Sequence, residues 1–107
     1  MNVPPVDVRE RWILARLARA RAAFYGSKPT YIGGGRRSEP TVRHGRAAED
    51  LHAAKQARNR LLVELVGDAT TVPLELAKRL DLTGREAASI VHVARSGSRL
   101  LRNDLLG

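Results

Sequence analysis

The residues whose types and spacing bear on chemistry lie between Val72 and Ser96. Leu76, Leu80, Leu82, Ala87 and Ile90 are apolar at the offsets that let two short helices close a small core against a third. Ala77 stands where those helices approach most closely and a small side chain is needed. Pro73 is tolerated near the start of the first helix, where its missing amide would be unpaired anyway. Thr83 and Glu86 have capping-box spacing and open the second helix at Gly84-Arg85-Glu86. The turn between the helices is Asp81-Leu82-Thr83. This spacing predicts a helix offered to the major groove of DNA.

Other chemistry finds little support. The three histidines, His44, His52 and His92, share no i,i+4 spacing and no carboxylate trio brackets them, so no metal site is expected. Gly33-Gly34-Gly35 is followed by Arg36-Arg37, without the Lys-Ser or Lys-Thr of a phosphate-cradling loop. Ser27, Ser38, Ser89, Ser96 and Ser98 lack a visible base partner. No cysteine is present, which removes disulfides and thiolate chemistry. The expectation is a protein that is not an enzyme and carries no cofactor.

Residues 72–96 resemble helix-turn-helix proteins such as phage-type repressors and the promoter-reading end of sigma factors. Those families often have glycine in the turn where this chain has Asp81, a residue that also tolerates the left-handed conformation. The resemblance implies that Ala87, Ile90, Val91 and Ala94 face inward. It implies a reading face of Arg85, Ala88, Ser89 and His92, with Arg85 on guanine, Ser89 on a base edge or phosphate, and Ala88 on a thymine methyl. Thr83, Arg95 and Arg99 are then expected at phosphates.

The elements that position this face read as an all-α chain: a long helical hairpin followed by a C-terminal helix-turn-helix, in one domain over residues 1–107. The first helix is expected over Val8–Tyr25, with Asp7 and Glu10 as a capping box and Gly26 as a left-handed end. Its buried face is Ile13, Leu17, Ala20 and Phe24, widened by Leu14, Ala18 and Tyr25, with Arg9, Arg16 and Arg19 on another side. Trp12 sits at the edge of that stripe, in the core or on a second subunit; Trp12, Ile13, Leu17 and Phe24 are candidates for a homodimer contact. The second helix is expected from about Arg46 to Val66, with Glu49 and Asp50 in its first turn and Gly67 past its end. Its apolar side is Ala47, Leu51, Ala54, Leu61 and Leu65, broadened by Leu62 and Val66, while Lys55, Arg58 and Arg60 cluster in the middle. It would be the first helix of a trihelical unit over 46–107, ending in a short helix from Arg99 to Leu106.

Between the long helices, residues 26–45 form a basic, glycine-rich loop in which Thr30-Tyr31-Ile32 and Thr41-Val42-Arg43 have the makings of a hairpin. Charge is uneven. Residues 1–60 hold 13 Lys and Arg against 5 Asp and Glu, whereas residues 61–107 hold 6 of each. The net charge of +8 is therefore that of residues 1–60, and the excess does not lie in the helix-turn-helix. A polyanionic partner is expected, with double-stranded DNA first. Affinity would come from the basic half, Arg36, Arg37 and Arg43 above all, lying along phosphates or in a minor groove. Two alternatives stand beside a DNA-binding transcriptional regulator. One is a helical interaction module that docks an acidic protein. The other is a non-specific nucleoid or RNA binder acting through the basic half. No stretch approaches the ~20 apolar residues of a membrane span, and Met1-Asn2-Val3-Pro4-Pro5 lacks a secretory pattern. A cytoplasmic, nucleoid location is expected.

Overall fold

The computed structural model describes residues 3–27, 31–32, 36–37 and 42–107. Among these residues five helices, α1 (Val8–Gly26), α2 (Val42–Val66), α3 (Leu74–Arg79), α4 (Gly84–Ser96) and α5 (Arg99–Leu106), make up an all-helical fold. Beside them, among the described residues, stands a two-residue antiparallel ladder, β1 (Tyr31–Ile32) with β2 (Arg36–Arg37), in the register Tyr31↔Arg37 and Ile32↔Arg36.

α1 and α2 form the expected antiparallel hairpin. Arg9 near the start of α1 pairs with Glu64 near the end of α2 at 2.9 Å, and Phe24 at the other end stacks on His44 at 4.9 Å. Between the helices Leu17 and Ala20 pack against Leu51 and Ala54, with Phe24 half-buried beside them. The two alanines are small enough to allow close helix approach. A second, larger core joins Leu61, Leu62 and Val66 of α2 to Leu76 and Ala77 of α3, Leu80 and Leu82 of the turn, and Ala87, Ile90 and Val91 of α4. Every apolar position expected to close the helix-turn-helix is thus buried.

Several boundaries differ from expectation, each for a local reason. α1 continues through Gly26, which is not left-handed. Ser27 ends the helix instead, donating its amide to the carbonyls of Ala23 and Phe24 and its hydroxyl to Phe24, so no left-handed residue is needed. The capping box at Asp7 is half made. Asp7 accepts from the Glu10 amide at 2.8 Å, but the Glu10 side chain turns away to Arg79. α2 starts at Val42, a turn before Arg46, because His44 is anchored by its stack on Phe24 and a 3.1 Å contact with Ser27 Oγ. Glu49 and Asp50 consequently lie about two turns inside α2. Val42 and Arg43, being helical, cannot pair with Tyr31-Ile32; Arg36-Arg37 take that place. Ala18 and Tyr25 are exposed, not buried.

Two glycines separate two uses of the residue. Gly67 follows α2 with φ +59°, and its amide closes on Val63 at 3.0 Å. Gly45 lies inside α2, exposed and with open space where a side chain would project. Gly67→Ala should cost about 1 kcal/mol through left-handed strain, whereas Gly45→Ala should gain about 0.5 kcal/mol in helix propensity. Thermal melts of the two variants should move in opposite directions.

Candidate nucleic-acid interface

The local sequence fixes α4 from its turn outward. The Leu80 amide donates to Leu76 and Ala77, Asp81 takes φ +62°, and the Leu82 amide returns to the Ala77 carbonyl at 2.9 Å. Asp81 supplies a left-handed step of the kind that glycine makes most readily. Thr83 then caps the helix. Its Oγ1 accepts from the Glu86 amide, and Glu86 Oε1 accepts from the Thr83 amide, both at 3.0 Å. These bonds hold the Glu86 carboxyl below its usual range. Thr83 is therefore committed to the cap through its side chain.

Ala87, Ile90 and Val91 face the core and Ala94 is half-buried. Arg85, Ala88, Ser89 and His92 are all exposed, on the face where the sequence puts them. Arg95 is exposed too, but its Nη2 donates to the carbonyls of Gly67 (2.9 Å) and Ala69 (2.7 Å). That guanidinium pins α4 to the end of α2, so Arg95, expected at a phosphate, also has a structural role. Arg99 is exposed on α5, beyond Gly97 and the Ser98 cap, so it does not prolong the α4 face.

Ser27 and Val42, described residues towards either end of the expected basic loop, lie at the far end of the hairpin from α4. Arg43 is exposed there, roughly 20 Å along α2 from Arg58. Arg36 and Arg37 contribute backbone to the ladder, and their side chains lie outside the described residues. The cations beside α4 come from elsewhere. A groove of 510 Å³ between α2, α4 and α5 is lined by Arg21, His52, Lys55, Arg58, Arg85 and Ser89, with Asp81, Glu86 and Asp104 among them. Its α5 wall is fixed by side chains of α2: Gln56 Nε2 donates to Asn103 and Asp104, Asn59 Nδ2 to Leu105 at 2.8 Å, and Arg60 to Leu106. These donors satisfy carbonyls that the helix end leaves free. Arg21 is tied to Asp81.

The sequence marks Arg58 as one of a basic cluster in the middle of α2 and does not single out Arg21, yet a further signal for Arg58 exists. Ala54, Arg58 and Leu62 are four apart, so Arg58 stands in the apolar stripe of α2. It is buried at 5% exposure. Glu10 similarly precedes Ile13, Leu17 and Ala20 in the stripe of α1 and is buried.

Of the four residues expected at a dimer contact, only Trp12 is free to serve, at 61% exposure. Leu17 is sealed inside the hairpin, and Ile13 and Phe24 pack against the two cores of their own chain. Among the described residues no group of His, Asp or Glu is gathered to hold a metal ion, and no helix is long and apolar enough to cross a membrane. Comparison of the chain with family models, with curated proteins and with solved structures finds no match.

Proposed function

We propose that the chain binds double-stranded DNA, with α4 in the major groove. The observation that carries this reading is the outward face of a capped, 13-residue helix, bearing Arg85, Ala88, Ser89 and His92, beside cations from the basic half. Sequence would be read by Arg85 and Ser89 at base edges and by Ala88 at a methyl group. Lys55, exposed on α2 beside them, supplies a phosphate contact, which answers the neutrality of residues 61–107. A homodimer through Trp12 and the neighbouring exposed Val8 would set two α4 helices about 34 Å apart over successive major grooves.

Gel shifts with genomic fragments test this reading. Some fragment should be retained above the salt-sensitive background. On that fragment Arg85→Ala should cost about 1–3 kcal/mol and relax specificity, while Lys55→Ala should weaken all fragments alike and lower the salt slope by about 1. Retention of no fragment overturns it.

A second reading, a helical interaction module, draws on the apolar residues left open. Leu100 is 82% exposed on α5 and Leu101 is exposed beside it, apart from the α4 face. In that case Arg85→Ala, Ser89→Ala and His92→Ala combined should leave function unchanged.

A further inference from the structure

We propose that the groove between α2, α4 and α5 is a phosphate-binding site anchored by the buried guanidinium of Arg58. Arg58 Nε donates to Asn59 Oδ1 at 3.1 Å, and its two terminal nitrogens make no hydrogen bond or ion pair. No polar side-chain atom sealed from solvent lacks a partner among the described residues, so those nitrogens open on the groove that Arg58 lines. Withdrawing a guanidinium from water is unfavourable unless an anion faces it. Arg79, half-buried, has such an anion in Glu10; Asp81 and Glu86 act on Arg58 only from a distance, and neither bonds to it.

The carboxylates nearby are already committed. Asp81 is held by Arg21, and Glu86 is spent on the Thr83 amide. Asp104 is exposed and lies 3.8 Å from His52. Lys55 and Arg85, meanwhile, line the groove without a carboxylate partner, and the Ser89 hydroxyl is free beside them. Burial and the adjacent Arg21 hold Arg58 below the ordinary guanidinium range by more than Asp81 and Glu86 raise it, and an incoming anion works against that direction. A guanidinium with both terminal nitrogens free is a fork for two oxygens of one anion, and a compact ammonium and a hydroxyl suit the remaining oxygens of a tetrahedral phosphate. The volume of 510 Å³ is that of a small-ligand site. The phosphate can belong to a nucleic-acid backbone running along α4 or to a free phosphate compound. The site stands without base reading by α4.

Inorganic pyrophosphate and a short DNA duplex, titrated separately into the full chain at constant ionic strength balanced with chloride, test the proposal by NMR. Amides around Lys55, Arg58, Arg85 and Ser89 should shift saturably. Arg58→Met, which keeps the apolar stem, should weaken binding about tenfold or more. Lys55→Ala and Arg85→Ala, both exposed and without a folding role, should each weaken it about threefold; they decide the matter if Arg58→Met does not fold. A pyrophosphate response with no duplex binding supports the site and assigns it to a free phosphate compound, while overturning the DNA reading. Duplex binding that depends on these residues, with no response to pyrophosphate, supports the site and assigns it to the backbone. Affinities unchanged in Lys55→Ala and Arg85→Ala, or shifts that chloride reproduces, overturn it.

Discussion

Glu10→Gln should lower the unfolding free energy by about 3 kcal/mol, a large part of the ~5–15 kcal/mol that holds a domain of this size. Glu10 Oε1 accepts from Arg79 Nη2 at 2.5 Å and Oε2 from Nε at 3.2 Å, while Arg79 Nη1 donates to the Pro4 carbonyl at 2.5 Å. The pair thus fastens the start of α1, and the segment before it, to the end of α3. The carboxylate raises Arg79 above its usual range. Glutamine keeps the shape but leaves a guanidinium drawn from water without a counter-charge, which costs more than the pair itself contributes. A double variant, Glu10→Leu with Arg79→Met, should recover most of the loss, since apolar groups of similar volume need no compensation. Urea unfolding of the single and double variants gives the coupling directly. A loss under 1 kcal/mol in Glu10→Gln would show that the pair is solvated and that α1 and α3 are held together by packing alone.

This pair also marks where sequence reasoning stops. The helix-turn-helix was legible because its determinants are local. Leu76, Leu80, Leu82, Ala87 and Ile90 follow from periodicity, and Thr83 with Glu86 announces the start of α4 within four residues. Glu10 also looked local, as the second half of a capping box, but its partner lies 69 residues away. Contact across that separation leaves no trace in spacing, apart from the placement of a carboxylate in an apolar stripe. The beginning of α2 was hidden for a related reason. His44-Gly45 reads as loop, whereas His44 packs on Phe24 and contacts Ser27 Oγ from within the helix.

The interface divides in the same way. The outward face of α4 follows from the helical repeat alone, and all four of its reading candidates are exposed. Which cations stand beside that face depends on how α1, α2 and α5 pack. Arg43 is among the residues a charge tally favours, yet it sits a hairpin's length away, while Arg21, Lys55 and Arg58 converge on the groove. Arg95 shows the converse, a residue on the right face whose Nη2 is bonded to the protein's own backbone.

Leu80→Ala should be the most damaging single truncation, costing about 3–5 kcal/mol. Leu80 is 0% exposed and follows the last residue of α3, in the core that joins α2, α3 and α4. Its neighbour Asp81 is held in a left-handed conformation, and the Leu82 amide must reach back to Ala77 for the turn to close. Shortening Leu80 leaves a cavity under that turn and weakens the packing that holds Asp81 there. The chain can relax only by letting the turn open, which shifts Thr83 and frays the start of α4. The loss should therefore be visible twice: in urea unfolding, and in faster amide exchange at Thr83–Glu86 under native conditions. Leu74→Ala, at a leucine of the same short helix that is 56% exposed, should stay within about 0.5 kcal/mol and leave exchange at α4 unchanged. Equal losses in the two variants would mean that α3 serves as a tether for α4 and contributes little as packing.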